Sequence, residues 1–362
     1  MQKNDSPDAA EQKIRAGITH GDLNGIGYEI IIKALHDQRM LESLTPVVYG
    51  LSKVASYHRK VLDVSDFNFN LVKNAASANP RRPNIVNCCE QEVKIDLGKS
   101  TAVAGEMALL SLEMAVNDLH EGLIDVLVTA PINKKNIQSD NFHFPGHTEY
   151  LAGKFDAEDV LMLMVSNKLR IGVATGHIPL MDVSKHLSRE LILKKLMIME
   201  YSLKRDFSIP KPRIALLGLN PHAGDEGLLG KEEQEVIIPA VEEAFNQGIH
   251  AYGPYAADGF FGSSAFSAFD GILAMYHDQG LIPFKALSFE HGVNFTAGLP
   301  VVRTSPAHGT AYEIAGKNMA SAESMRSAIF LACDIFRNRK MFDEMNGDPL
   351  KIKTNVTENG DN

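Results

Sequence analysis

The sequence predicts an α/β protein: a largely parallel sheet covered by helices on both faces. Three observations lead there. Short, continuously apolar runs read as strands buried on both sides. Helix-periodic segments alternate with them. Glycine and proline breakers fall at the joins.

Taken in order, IRAGIT (14–19) is a first strand, and the loop HGDLNGIG (20–27) leads it into an apolar-periodic helix, YEIIIKALHDQR. The glycine spacing suits a phosphate cradle at a helix start or, equally, a tight strand-to-helix turn. PVVYG (46–50) is a second strand, and Ser52 is typed to cap the helix after it. Segment 62–100 is polar and Asn-rich, and its alternation suggests an antiparallel excursion or an insertion. GEMALLSLEMAVNDLHEG (105–122) is a helix, and IDVLVTA (124–130) is a buried strand stopped by Pro131. VLMLMVS (160–166) and LRIGVATG (169–176) read as neighbouring strands. A helix at 188–205 precedes RIALLGLN (213–220), and KEEQEVIIPAVEEAFNQG (231–248) starts acidic and ends at glycine, as dipole and capping rules favour. GILAMY (271–276) is a further strand, and 320–340 a closing helix. About a dozen polar residues at each end are expected to be mobile.

With 362 residues and 44% hydrophobic content, the chain can fill a core of two domains or one large two-lobed unit. A net charge of −9 argues against nucleic acid or anionic membrane as a partner. Cys88, Cys89 and Cys333 form no CxxC pair, which fits a reducing compartment. No apolar run approaches membrane-spanning length and the N-terminus has no signal-like apolar core, so a cytoplasmic location is expected.

His177, His222 and His277 each stand at or just past the downstream end of an apolar strand run. Ligands of open α/β sheets bind outside the carboxyl ends of the strands. Three neutral imidazoles delivered to one crevice would make an open transition-metal site; the ordinary alternative for each is a satisfied structural histidine. Asp278 and Asp258 can supply nearby carboxylates that fix a ring tautomer. In TAPINKKNIQSDNFHFPGHTEY (129–150), His147 and Thr148 suit a shaped loop that meets an anion, against the alternative of a plain surface loop. His143 and His147 are four apart, but Pro145-Gly146 breaks helical geometry and excludes an i, i+4 metal pair. In 276–320, Lys285, Asn294 and Arg303 are typed for phosphate or carboxylate: a point charge, a neutral donor and a fork. Their interleaving with Gly, Pro and apolar positions suits a cleft wall better than an exposed helix.

The blocks GDLNGIGYE, TAPINK, FPGHTEYLA, GLNPHAGDEG, YHDQGLIPFK and VNFTAGLPVVRTSPAHGTA together resemble the 4-hydroxythreonine-4-phosphate dehydrogenase family of vitamin B6 biosynthesis, over about residues 14–340. HGTAYEIAGKNMA is also similar to the adenosine-binding loop of the wider isocitrate and isopropylmalate dehydrogenase superfamily, whose members hold metal with aspartates rather than histidines. The resemblance implies a two-lobed α/β/α fold with the active site in a cleft between lobes. One lobe would comprise 1–132 plus 300–362, the other 133–299. It implies that His177, His222 and His277 bind a divalent metal, zinc first, with magnesium or cobalt as alternatives. It further implies that His147, Thr148, Lys285, Asn294 and Arg303 bind the phosphorylated substrate. His308, Gly309, Thr310, Ala311 and Gly316 would bind NAD or NADP. The family's site lies at a homodimer interface with metal ligands from both subunits. Two departures stand out: Ala257-Asp258-Gly259 replaces an expected Ala-Asp-Thr, and segment 62–100 and the tail are long.

The implied reaction oxidises the C3 hydroxyl of 4-phosphooxy-L-threonine with NAD⁺. It leaves a carbonyl β to the carboxylate, from which CO₂ departs to give 3-amino-2-oxopropyl phosphate. Asp278, Lys285 and a hydroxide on the metal are the candidate bases. The alternatives are a paralogue acting on 4-phosphothreonate or 4-phosphoerythronate, a metal-dependent phosphohydrolase, and a non-catalytic metal-binding scaffold.

Overall fold

The computed structural model describes residues 13–140 and 142–347, so the polar leader and tail lie outside the described residues. Twelve strands form a single sheet. In chain order they are β1 (Ile14–Thr19), β2 (Leu44–Gly50), β3 (Asn70–Val72), β4 (Asn84–Asn87), β5 (Val126–Thr129) and β6 (Leu161–Val165). These are followed by β7 (Arg170–Val173), β8 (Ile214–Leu217), β9 (Ala251–Tyr255), β10 (Gly271–Ala274), β11 (Val293–Ala297) and β12 (Arg303–Pro306). Their spatial order is β3-β4-β2-β1-β5-β12-β11-β6-β7-β10-β8-β9.

The expectation of a largely parallel sheet holds. The first six strands in that order are mutually parallel, as are the last four. The two blocks meet at β11 and β6, each antiparallel to both of its neighbours. The blocks therefore run in opposite directions, and the carboxyl ends of the strands do not form one continuous edge. The central strands of the blocks, such as β2, β5, β8 and β10, are buried between helices such as Ala102–His120, Arg189–Arg205 and Glu323–Gly347, the reason their runs are mostly apolar.

Three local expectations need correction. Segment 62–100 is not an antiparallel excursion: β3 and β4 extend the sheet edge in parallel with β2. Ser52 does not cap its helix. It is the first residue of Ser52–Val61, and its N–H is taken by Asn87 Oδ1 at 3.0 Å. The run 231–248 is not one regular helix, since a π-turn over Glu233–Ile237 precedes Ile238–Asn246. Two long helices are capped by side chains: Thr101 and Ser188 accept the N–H groups of Ala104 and Leu191.

The glycine loop after β1 is a tight turn, not a phosphate cradle. Every residue from His20 to Gly27 is buried. A Cβ at Gly21 would lie 2.3 Å from Pro131 O, and one at Gly27 would lie 2.1 Å from His20 O. The loop's N–H groups are spent internally, Asp22 donating to Pro131 O and Ile26 to Thr310 O.

Candidate active site

A cavity of about 520 Å³ lies over the central strands. Its wall includes Thr129 at the end of β5, Asn294 on β11, Met162 and Met164 on β6, Arg303 and Ser305 on β12, and Val173 on β7. The cavity thus rests on the face where the two parallel blocks meet, rather than beyond one carboxyl edge. The cause is the pair of antiparallel strands at the seam.

Arg303 dominates one half. It is 2% exposed. Its Nε and Nη2 donate to Thr129 Oγ1 at 3.1 and 2.6 Å, and its Nη1 to Thr296 Oγ1 at 3.3 Å. Both hydrogen-bond partners are neutral hydroxyls, so no carboxylate is bonded to the guanidinium; the charge of Glu149 in the same wall favours it only from a distance. Burial lowers its pKa to about 10, which still leaves it protonated at neutral pH. An unpaired buried cation costs stability and draws an anion. Around it are neutral groups. His147 begins the helix His147–Lys154, and its Nε2 is shut off from solvent without a partner. Burial, aided by the charges of Arg303 and Lys134, holds its pKa well below the usual histidine range, so the ring is neutral. Thr148 Oγ1 lies 3.5 Å from Thr296 Oγ1, and Asn294 Oδ1 is likewise enclosed and unpartnered. Lys285 lines the same cavity, but from the helix His277–Ser288, a segment that Gly280 and Pro283 disguise in the sequence.

The other half carries histidines. β7, β10 and β8 are adjacent parallel strands, and His177, His277 and His222 all lie beyond their carboxyl ends. The rings of His177 and His277 stand 5.3 Å apart and line the cavity. His277 Nδ1 lies 2.7 Å from Asp278 Oδ1. A carboxylate only accepts, so His277 donates its Nδ1–H and presents Nε2 as a lone pair. Burial, with the charge of Lys134, lowers the pKa of His177, and Lys134 Nζ stands 3.4 Å from its Nε2. His222 does not join them within one chain. It opens a run of six residues with positive φ, 222–227, and is exposed. Among the described residues, no group of three or more His, Cys, Asp or Glu side chains is set to hold a metal. Asp278 is 70% exposed and absent from the cavity wall, which places it behind His277 rather than against a substrate.

Of the loop after β12, His308 and Gly309 line the cavity, and His308 Nε2 is enclosed and unpartnered. Thr310, Ala311 and Gly316 do not line it. Thr310 O accepts the Ile26 N–H, Ala311 is left-handed, and a Cβ at Gly316 would lie 2.5 Å from Leu97 Cδ1. Three lining residues were assigned no role from the sequence: Lys134, Lys195 and Glu149, the single acidic side chain in the wall. Lys134 and Glu149 sit inside motif blocks, where position was the available signal; Lys195 lies mid-helix in a solvent-like pattern.

The family model for "Pyridoxal phosphate biosynthetic protein PdxA" matches residues 42–332. The chain belongs to the PdxA family. A 4-hydroxythreonine-4-phosphate dehydrogenase of Bacteroides thetaiotaomicron is 56% identical over 342 residues, covering 94% of each chain. A putative D-threonate 4-phosphate dehydrogenase of Oceanobacillus iheyensis is 38% identical, covering 88% of this chain and 97% of its own. The crystal structure of 4-hydroxythreonine-4-phosphate dehydrogenase from Klebsiella pneumoniae superposes with a TM-score of 0.77 at 34% identity, covering 90% of this chain and all of that one. PdxA membership makes the chain an oxidoreductase of the dehydrogenase type, as the resemblance of its motif blocks implied. No helix among the described residues is long and apolar enough to cross a membrane.

Proposed function

We propose that this PdxA protein oxidises the C3 hydroxyl of 4-phosphooxy-L-threonine with NAD⁺ (or NADP⁺), as a metal-dependent cytoplasmic homodimer. One observation carries the reading: a buried Arg303 hydrogen-bonded only to neutral hydroxyls, in the same cavity as a histidine pair. That arrangement suits a phosphate at one end and a reacting alcohol at the other. Arg303 would grip the phosphate as a fork and Lys285 as a point charge, with Thr148, Asn294 and neutral His147 supplying the remaining polar contacts. Holding the substrate there fixes the C3 carbon against the cofactor, a positioning role worth several kcal/mol.

The donor set fits a divalent ion, zinc in the first instance. His177 and His277 would hold it in one chain, with His222 from a second copy. The chemistry supplied by such an ion is Lewis-acid polarisation of the alcohol. Support for the second copy comes from exposed apolar side chains within six residues of each histidine: Met181 is 85% exposed, Leu228 79% and Ile282 66%. Large bared apolar side chains are what a covering chain would bury. The loop 308–316 would take the dinucleotide, with His308 and Gly309 nearest the substrate. Of the two side-chain base candidates, Lys285 faces the cavity, and Asp278 acts through His277. We also propose the lobe division 1–132 plus 300–362 against 133–299, because its seam falls between β12 and β11.

The test follows nicotinamide absorbance with 4-phosphooxy-L-threonine, with and without a chelator. Reduction that the chelator abolishes is expected; phosphate release without reduction would refute the reading. The D-threonate 4-phosphate relative favours one second reading, oxidation of a phosphorylated sugar acid. Turnover of both substrates side by side separates the two.

A further inference from the structure

The buried loop 20–27 and the segment 95–101 have no part in the chemistry above, yet they converge on one carboxylate. Asp22 is 1% exposed. Its Oδ1 accepts the Asn24 N–H at 2.9 Å. Its Oδ2 accepts from Asn136 Nδ2 at 2.8 Å and from the Tyr312 hydroxyl at 2.6 Å. The Tyr312 oxygen in turn accepts from Asn133 Nδ2 at 3.1 Å. Asn133 and Asn136 flank Lys134 on the loop that leaves β5 for the cavity wall. Tyr312 stands three residues past Gly309 on the loop that enters the wall from β12. Segment 95–101 closes the assembly from behind. Asn24 Nδ2 donates to Thr101 Oγ1 and Lys99 O, and the N–H groups of Asp96 and Gly98 donate back to Asn24. A Cβ at Gly98 would lie 2.9 Å from Tyr312 O, so the fit is close.

We propose that Tyr312 is a positioning residue, whose hydroxyl, donated to Asp22, fixes the 308–316 loop against the 129–137 loop. It thereby sets the nicotinamide against the phosphorylated substrate. The inference rests on the dinucleotide role given above to 308–316. The physical ground is that Asp22 is charged, enclosed and served by three donors, so each bond is charge-assisted and directional. Hydride transfer is sensitive to such registration, since small misplacements far from the reacting atoms cost rate. Burial and the neighbouring Asp22 carboxylate raise the Tyr312 pKa to about 12, which keeps the hydroxyl a donor across the working range.

The test is Tyr312→Phe in the full-length enzyme, which keeps the ring and removes the donor. The expected result is a fall in kcat of about tenfold, the scale of one hydrogen bond to a charged acceptor. The separately measured dissociation constants for NAD⁺ and for 4-phosphooxy-L-threonine should stay within about twofold. A primary isotope effect on kcat with C3-deuterated substrate should rise, because transfer itself becomes slower. Asn136→Ala, which removes another donor from the same oxygen, should act in the same direction and less than additively with Tyr312→Phe. Wild-type kcat in Tyr312→Phe, a loss confined to cofactor affinity, or a lowered Tm with unchanged kcat and isotope effect would each overturn the proposal. A wild-type chain that reduces no nicotinamide overturns the functional reading first and this inference with it.

Discussion

Arg303, His147, Thr148 and Asn294 meet inside one chain, enclosed and geometrically settled, whereas His177 and His277 stand as a pair with His222 held apart on an exposed left-handed turn. The first group is thus gathered in a single chain and the three histidines are not. The difference has a structural cause. Arg303, Asn294 and Thr129 stand on β12, β11 and the end of β5, strands hydrogen-bonded to their neighbours in the middle of the sheet, with His147 and Thr148 on the helix His147–Lys154. The histidines lie beyond strand ends, His277 opening a helix. On the proposed reading, the substrate's phosphate would be held by one chain, while its reacting end would need two.

The largest effect separates the halves outright. His222→Ala should lower metal-dependent turnover by a factor on the order of 10³ or more, with far-UV circular dichroism and phosphate-end binding unchanged. Turnover at the wild-type rate would remove His222 from the site. Arg303→Ala acts on the other half: KM for the phosphorylated substrate should rise on the order of a hundredfold, as expected for losing a buried charge-assisted fork. An unchanged KM would dissolve the anion half. Because the guanidinium is buried with no carboxylate bonded to it, Arg303→Met should raise the Tm of the ligand-free protein, by about 2 °C.

A smaller effect tests the pairing behind the histidines. Asp278→Asn leaves the His277 ring in place and weakens its hold on one tautomer. Metal affinity measured by competition with a chelator should fall about tenfold, and excess metal should restore kcat. Loss of kcat that metal cannot restore would make Asp278 a base instead. The last prediction concerns neither half and serves as their control. His20 and His58, stacked on either side of Tyr28, are buried, and burial lowers both pKa values to about 4. Below pH ~6.5 these rings protonate in the unfolded chain and stay neutral in the folded one. Stability is therefore full above pH ~6.5 and declines as pH falls towards 4, by roughly 3 kcal/mol at most for each ring. Tm should drop over that window, and His58→Phe should flatten the slope. An equal slope in the variant would exclude His58 as a source of acid sensitivity.

Much of this architecture was legible in the residues. Runs such as IALL and GILA are apolar at every position because both faces of their strands are covered, and their histidine-bearing exits followed from that. The reversal at the seam was not legible, since β11 and β12 are short and joined by a Gly-Leu-Pro turn that also suits an irregular wall. Nor were β3 and β4, runs of only three and four residues flanked by asparagines, with β3 at the half-covered sheet edge. Residue types and motif blocks singled out His147, Thr148, His177, His277, Lys285, Asn294 and Arg303, and the fold brings these to one cavity wall. What they did not carry was relation: that Arg303 is bonded only to hydroxyls, that Asp278 pairs with His277, and that ordinary residues such as His222 and Ala223 adopt positive φ.

The proposed division into a half held by one chain and a shared half is tested most directly by mixing two inactive chains, His222→Ala and His277→Ala, under conditions that let subunits exchange. If His222 is supplied by the partner subunit, each mixed dimer holds one intact site and one doubly altered site. Half of randomly assembled dimers are mixed, so activity should return to about a quarter of the wild-type rate per chain. No recovery after verified exchange would contradict the shared site, because a set of ligands drawn from one chain leaves every subunit in the mixture defective.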